Sequence, residues 1–175
     1  MSAIELTVSA LALLAMTSIL IGVLRCGISP MPSTRAAAIA MRRLAVPLDD
    51  GPIYELGSGW GGLAIDLARA HPDRRVRGYE ISTLPYLFSI FLGHCSGLNN
   101  LEFRRQNFLR QDLSEAAMVV CYLFPGGMTR LAEKLEGHSL VLVSNTFAMP
   151  GWEPEEVVEL GDRHRTRVYR YHRDV

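Results

Sequence analysis

The chain has 175 residues, enough for one domain with a hydrophobic core and a short additional segment. It carries 18 basic and 18 acidic side chains, so the formal net charge is zero, which argues against a protein that binds nucleic acid through a basic surface. The three cysteines, Cys26, Cys95 and Cys121, have neither paired spacing nor a metal-ligand pattern and indicate no disulfide framework.

The first segment contains a long run without charge. Residues 6–24 have the sequence LTVSALALLAMTSILIGVL, and at about 1.5 Å per residue this run nearly crosses a hydrocarbon core of roughly 30 Å. A cleaved signal peptide and a buried core helix are the alternatives, but Glu5 precedes the run where a signal peptide has basic residues. We therefore predict one N-terminal transmembrane helix within an anchor at residues 1–26, which contacts the bilayer through residues 6–24. Arginines follow the run, so the positive-inside rule predicts a single-pass membrane protein with a cytoplasmic catalytic domain.

Residues 27–33 form a predicted linker rich in glycine, proline and serine, and residues 34–175 a predicted domain. Within the domain, predicted strands at 53–56, 76–80, 101–105, 118–124 and 139–145 alternate with predicted helices at 34–44, 62–70, 82–95 and 129–135. The sequence of the C-terminal tail predicts an antiparallel hairpin whose strands are residues 157–160 and 167–171. This alternation predicts an α/β fold with a doubly wound, mostly parallel, Rossmann-like sheet.

The motif YELGSGWGG at residues 54–62 places four glycines directly after the first predicted strand. It fits a dinucleotide fingerprint, Gly57-x-Gly59-x-x-Gly62, and also an S-adenosylmethionine loop, Glu55-x-Gly57-x-Gly59-x-Gly61. Glu55 discriminates between the two because its carboxylate would repel a pyrophosphate. The cationic end of S-adenosylmethionine instead gains a charge-assisted hydrogen bond of about 1.5–3 kcal/mol. The loop therefore predicts S-adenosylmethionine as the cofactor.

Two further positions fit a nucleoside. Glu80 ends the second predicted strand, about 20 residues after the loop, where an acid binds ribose hydroxyls; a solvated strand-end carboxylate is the alternative. Asn107 and Phe108 follow the third predicted strand, where an amide would contact the edge of an adenine and a ring would cover it. A turn asparagine beside a core phenylalanine is the alternative there.

The motifs YELGSGWGG, GYE and RRQNF resemble those of class I S-adenosylmethionine-dependent methyltransferases. With PMPSTRAAAIAMRRL after the apolar run and VSNTFAMPGWEP before the hairpin, the chain is similar over nearly its whole length to one group among them. These are the small membrane-anchored protein-lysine methyltransferases of ATP synthase subunit c and the adenine nucleotide translocase, with their bacterial relatives. The resemblance implies a seven-stranded methyltransferase sheet and S-adenosylhomocysteine as the product, without a metal.

The resemblance also implies a set of cofactor-binding residues. Glu55 and the glycines are expected to hold the methionine part, Glu80 the ribose and Asn107 the adenine, while residues 32–34 close over the cofactor. The full expected set is Pro32, Ser33, Thr34, Glu55, Gly57, Ser58, Gly59, Gly61, Glu80, Ile81, Asn107 and Phe108. Trp60 and Asn107 stand where the family usually has aspartate, which removes two carboxylates from the surroundings of the cofactor.

Tyr122 and Asn145 are the candidate catalytic residues, because they lie in the C-terminal parts of the fourth and fifth predicted strands, where ligands bind in such sheets. Packing residues at strand ends are the alternative. The segment CYLFPGG replaces the Asn/Asp-Pro-Pro-aromatic signature of many amino-group methyltransferases. We expect methylation of a lysine on a membrane protein at the cytoplasmic face, with neither nucleic acid nor metal as a partner. A lipid or small-molecule methyltransferase and a cofactor-binding scaffold without activity are the alternatives.

Overall fold

The computed structural model describes residues 2, 4–10, 13, 17 and 33–174. Between residues 35 and 173 the helices are α1 (Arg35–Leu44), α2 (Gly62–Ala70), α3 (Thr83–Ser96) and α4 (Pro125–Lys134), with a short 3-10 helix at Phe108–Arg110. The strands are β1 (Ile53–Leu56), β2 (Val76–Glu80), β3 (Leu101–Arg105), β4 (Met118–Cys121), β5 (Leu140–Asn145), β6 (Glu156–Glu159) and β7 (Arg167–Arg173).

The seven strands form one mixed sheet in the order β3-β2-β1-β4-β5-β7-β6. The first five in this order are parallel, and β7 runs antiparallel to both β5 and β6. The strand order reverses direction between β1 and β4. In open α/β sheets, ligands bind at this switch point, outside the carboxyl ends of the strands.

The central strands are buried on both faces, which explains their continuous apolar runs. Every residue of β1, β4 and β5 is buried. One core cluster includes Leu131 of α4, and the cluster on the other face includes Met41 of α1 and Leu67 of α2. The sheet is therefore covered by helices on both sides.

The start and the end of α1 are fixed by side-chain hydrogen bonds. Thr34 precedes the helix, and its Oγ1 accepts the Ala37 N–H at 3.2 Å, which satisfies one of the unpaired donors at the helix start. At the other end, Arg170 on β7 donates from Nη1 to the carbonyl oxygens of Leu44 and Val46 at 2.9 and 3.0 Å. These bonds hold α1 against the antiparallel side of the sheet.

The predicted N-terminal transmembrane helix is wrong, because none of the helices in the described part of the chain is long and apolar enough to cross a membrane. The helix α3, with 14 residues, reaches about 21 Å against the roughly 30 Å of a hydrocarbon core. The rest of the predicted span, residues 11, 12, 14–16 and 18–24, lies outside the described residues. The predicted single-pass membrane localisation with a cytoplasmic catalytic domain is wrong for the same reason.

Candidate active site

The carboxyl ends of four neighbouring strands bring several predicted site residues into one row. Leu56 of β1 is in register with Tyr79 of β2 and Cys121 of β4, and Cys121 with Ser144 of β5. The residue that follows each of these four in the sequence is a predicted site residue. Together they form a row across the sheet: Glu80, Gly57, Tyr122 and Asn145. Neighbouring strands lie about 4.8 Å apart, so the row extends over about 14 Å. We call this set the edge row.

The glycine loop at residues 57–61 connects β1 to α2 along the edge row. The N–H groups of Gly57 and Ser58 both donate to the Tyr79 carbonyl at 2.9 Å, which fixes the loop to β2. Gly59 and Gly61 have φ angles of 52° and 86°, in the left-handed region that glycine adopts without steric cost. Gly61 is also the N-cap of α2, so the loop leads directly to the N–H groups at the start of that helix. A Cβ added at Gly59 would meet no atom of the described residues within 4 Å, and the loop therefore borders open space there.

The carboxylate of Glu80 organises the second strand end. Its Oε2 accepts the Gly59 N–H at 2.9 Å, and its Oε1 accepts the N–H groups of Ile81 and Ser82 at 2.8 and 2.7 Å. The side chain is buried. Glu80 therefore holds the glycine loop and the start of α3 at a fixed position relative to β2.

Glu55 places a second carboxyl group behind the loop, with 5% of the residue exposed. The Ala64 N–H in the first turn of α2 donates to this carboxyl group, but Oε2 has no hydrogen-bond partner among the described residues. Burial raises the pKa of the Glu55 carboxyl well above its ordinary value, and the negative charges of Glu80 and Asp66 raise it further. The hydrogen bond from Ala64 lowers the pKa and offsets only part of this increase.

The hydroxyl of Ser58 is the second buried polar group in the described structure that has no partner. An unpaired buried acceptor or hydroxyl costs about 1–3 kcal/mol, more when it is charged, so both groups favour a ligand that bonds to them. A cation satisfies the Glu55 carboxylate, whereas a pyrophosphate would be repelled by it. The donors and acceptors around the loop therefore fit S-adenosylmethionine, which carries a sulfonium and an ammonium group.

An aromatic ring that was not predicted from the sequence supports the loop. Phe103 of β3 packs so closely against three glycines that a Cβ at Gly61 or Gly78 would lie 2.7 Å from the ring, and one at Gly93 would lie 3.0 Å from it. The ring occupies the volume that larger residues at these positions would need, and it joins β2, α2 and α3 beside the loop. Glycines at position 78 in a strand and position 93 in a helix were the available sequence signals.

The structure gives Asn107 and Phe108 local partners. Asn107 Oδ1 accepts the Leu109 N–H at 3.0 Å and thereby caps the 3-10 helix, while Phe108 packs against a core cluster. These contacts match the alternative of a turn asparagine beside a core phenylalanine, and a contact with adenine stays a prediction. Trp60, at the usual aspartate position, packs edge to face on Phe88 of α3, with the ring centroids 5.4 Å apart.

The expected closing segment meets the carboxyl end of β5. Pro32 lies outside the described residues, but Ser33 Oγ accepts a hydrogen bond from Asn145 Nδ2 at 3.3 Å. The Asn145 side-chain oxygen Oδ1 accepts a hydrogen bond from the Thr146 hydroxyl at 3.1 Å. Asn145 is buried and thus links Ser33 to the edge row.

Tyr122 and Phe147 form a pair of stacked rings at the same edge, which we call the ring pair. Their centroids are 6.3 Å apart and their planes differ by 22°. Both residues are half-buried. The Phe147 backbone is fixed twice: its N–H donates to the Asn145 carbonyl at 2.8 Å, and its carbonyl accepts from Ser144 Oγ at 2.8 Å. Nothing in the sequence SNTF distinguishes Phe147 from a core residue, so the pairing emerges only from the fold.

Comparisons with known proteins agree on a family of methyltransferases. Residues 55–156, more than half of the chain, match the model of the ANTKMT methyltransferase domain. A protein-lysine N-methyltransferase from Saccharolobus islandicus (strain REY15A) is 27% identical over 146 residues, which cover 81% of this chain and 91% of that protein.

Solved methyltransferase structures share the fold. An RNA methyltransferase from Salinibacter ruber, in complex with S-adenosyl-L-homocysteine, has a TM-score of 0.72 at 29% identity and covers 81% of this chain and 93% of its own. The ribosomal protein L11 methylase from Lactobacillus delbrueckii subsp. bulgaricus has a TM-score of 0.66 at 13% identity, over 83% of this chain and 81% of its own.

The matched segment starts at Glu55 and contains the glycine loop and the whole edge row. The class I methyltransferase resemblance is thereby confirmed, and the cofactor is S-adenosyl-L-methionine. The chain belongs to the ANTKMT methyltransferase family and is an S-adenosylmethionine-dependent methyltransferase.

Proposed function

We propose that this methyltransferase transfers a methyl group to the side-chain amine of a lysine in a protein substrate. The observation that carries the proposal is the ring pair: Tyr122 is the neighbour of Gly57 in the edge row, and its ring stacks on Phe147. Aromatic faces accommodate both the apolar stem of a lysine and its cationic end. The similarity to the protein-lysine N-methyltransferase of Saccharolobus islandicus supports the same substrate class.

The geometry of the loop supports our assignment of the cofactor residues. S-adenosylmethionine supplies a methyl carbon that its sulfonium group has already activated. We assign the cationic methionine end to the unpaired Glu55 oxygen and the Ser58 hydroxyl, and the ribose hydroxyls to Glu80. The adenine is assigned to Asn107 and Phe108, next to the end of β3. In this assignment the cofactor lies along the β2 and β1 part of the edge row, and the acceptor enters at β4 and β5.

The remaining task of the protein is to present a neutral amine. A lysine amine is protonated at neutral pH, and its lone pair is available only after the proton is lost. Transfer from water into a slot lined by Tyr122 and Phe147 disfavours the charged form, so the pKa of the amine falls and the proton goes to solvent. In this proposal the Tyr122 hydroxyl accepts a hydrogen bond from the amine and orients it. Alignment and exclusion of water are sufficient roles for the chain in such a displacement.

RNA is the second candidate acceptor because of the similarity to the RNA methyltransferase of Salinibacter ruber. Binding to a nucleic acid backbone relies on several basic side chains that neutralise phosphates. The formal net charge of this chain is zero. Several of its arginines are paired with carboxylates: Arg77 with Glu102, Arg165 and Arg167 with Glu159, and Arg170 with Glu155. This charge balance favours a protein acceptor.

Transfer of a labelled methyl group tests the proposal. The purified enzyme is incubated with cell extract and S-adenosylmethionine labelled in its methyl group, and the products are separated into protein, RNA and lipid. We expect the label in protein. Phe147→Ala should lower transfer about tenfold, a loss of about 1.4 kcal/mol in transition-state stabilisation, without changing the affinity for S-adenosylhomocysteine.

Phe91→Ala is the matched control, because it removes an exposed ring from α3 outside the edge row. This variant should transfer methyl groups at the wild-type rate. Label that enters RNA or lipid and spares protein would reject the lysine proposal in favour of that acceptor class.

A further inference from the structure

A cavity of about 330 Å³ lies at the turn of the C-terminal hairpin. We call it the hairpin pocket; its lining residues are Thr146, His164, Arg165, Thr166, Arg167 and Tyr169. The Thr146 N–H donates to the Arg167 carbonyl at 2.7 Å, and Thr146 directly follows Asn145 of the edge row. The pocket therefore begins one residue beyond the acceptor side of the proposed active site.

The backbone of the hairpin pocket is strained at two positions. Thr146 and Arg165, with φ angles of 68° and 50°, are the non-glycine residues in the described part of the chain that have positive φ. Such a conformation costs about 1–3 kcal/mol and persists where the surrounding structure enforces it, often at ligand sites. Here the turn is closed by Asp162, whose carboxylate accepts the Thr166 N–H and hydroxyl at 2.8 and 2.6 Å.

The charges of the pocket suit a single carboxylate. Arg165 and Arg167 each donate from Nε to Glu159, at 2.8 and 3.0 Å. A guanidinium has five N–H donors, so this bond leaves most donors of the largely exposed Arg165 for another acceptor. The two arginines that line the pocket, Arg165 and Arg167, both pair with the single carboxylate of Glu159. An excess of one positive charge matches one acidic side chain and is too small for a polyphosphate.

We propose that the hairpin pocket binds the carboxylate of an acidic residue two to four positions from the lysine that is methylated. The inference rests on the proposed lysine methylation. Tyr122 follows β4, and β7 lies two strands further along the sheet, at a distance of about 10 Å. An extended peptide covers about 3.3 Å per residue, so about three residues connect the two sites. The pocket thereby selects lysines with an acidic neighbour at this spacing.

The test uses synthetic eleven-residue peptides with one central lysine. Each peptide carries a single glutamate at one flanking position, and a partner peptide has glutamine at the same place. With the wild-type enzyme, glutamate two to four positions from the lysine should lower KM about fivefold relative to glutamine, as one exposed charge-assisted pair permits, with kcat unchanged. Arg165→Gln should abolish this difference and leave the affinity for S-adenosylhomocysteine as in wild type.

Arg163→Gln is the matched control. It removes the same charge from the same turn, but Arg163 does not line the pocket, so the glutamate preference should remain. The inference is overturned if glutamate and glutamine peptides have equal KM values at every position, or if the glutamate preference survives in Arg165→Gln. Either result leaves the proposed lysine methylation intact. If an RNA oligonucleotide competes with the glutamate peptides in wild type and not in Arg165→Gln, the pocket binds phosphate and the inference is wrong. If no peptide is methylated at its lysine, the proposed function fails and the inference fails with it.

Discussion

Glu55 has a buried charge that is unfavourable in the free protein and that we propose is satisfied by the cofactor. Its Oε2 is buried without a partner among the described residues, and burial raises the pKa of the carboxyl well above its ordinary value of 4.5. Between 4.5 and the raised value, the folded protein binds a proton at Glu55 that the unfolded chain has released. The free energy of unfolding therefore falls as the pH rises through this window, by up to about 1.4 kcal/mol per pH unit.

Glu55→Gln should remove this pH dependence. We expect the cofactor-free variant to be more stable than wild type at pH 8 and similar to it at pH 4.5, as measured by chemical denaturation at both values. The same variant should bind S-adenosylhomocysteine about 10- to 100-fold more weakly at pH 8, since a charge-assisted bond to the ammonium group is lost. A variant that binds as tightly as wild type at pH 8 would show that the cation does not lie at Glu55.

Glu80 combines two roles, and two substitutions separate them. Glu80→Ala removes the acceptor of three backbone N–H groups, so it should lower the free energy of unfolding by about 2 kcal/mol or more and the affinity for S-adenosylhomocysteine at least tenfold. Glu80→Gln keeps an acceptor oxygen and should lose less stability while still losing affinity. Titration calorimetry and chemical denaturation measure the two effects. Wild-type affinity in Glu80→Gln would contradict the ribose assignment.

At the scale of elements, the glycine loop and the strands it connects follow closely from local sequence. The predicted ranges for β1, α2, β2 and β3 coincide with the observed ones, and glycine, proline or asparagine lies next to the ends of β1 and α2 and before β3. The prediction failed for β4 and α4: β4 ends at Cys121, three residues earlier than predicted, and α4 starts at Pro125. Proline favours the first position of a helix, and Gly126 and Gly127 leave room for the Phe124 ring in the next turn.

Contacts between distant elements were not predictable in the same way. The packing of Phe103 against three glycines and the pairing of Phe147 with Tyr122 depend on strand order and register, which no local pattern contains. The edge row itself was partly predictable, because the carboxyl ends of parallel strands meet at one edge. The transmembrane prediction rested on the length of residues 6–24, their absence of charge and the charged residues on either side, and these criteria do not distinguish a membrane span from other apolar segments.

Two glycines offer a matched test of the loop. Gly59 and Gly97 both have positive φ, 52° and 66°, and a Cβ at either would meet no described atom within 4 Å. Alanine at each position should therefore cost a similar 1–2 kcal/mol or so of stability from backbone strain. Only Gly59→Ala should also weaken binding of S-adenosylhomocysteine, by about tenfold or more, because its methyl group enters the space above the loop. Equal cofactor affinities in the two variants would place the cofactor elsewhere.

At the scale of the whole molecule, the strand order arranges the proposed sites in sequence along one edge of the sheet. Passing from β2 to β6, this edge carries Glu80, the glycine loop, the ring pair and the hairpin pocket. The antiparallel hairpin extends the edge beyond β5. In the proposed assignment a cofactor and a peptide take adjacent positions on one surface, which is the arrangement that methyl transfer to a protein side chain requires.

The central claim is that the acceptor atom is the side-chain nitrogen of a lysine. It is tested most directly by mass spectrometry of proteins that the purified enzyme has modified with S-adenosylmethionine carrying a deuterated methyl group. We predict fragment ions that place the heavy methyl group on lysine, present with wild-type enzyme and strongly reduced with Phe147→Ala. Heavy methyl groups found on another amino acid, or in RNA bases while protein stays unlabelled, would contradict the claim.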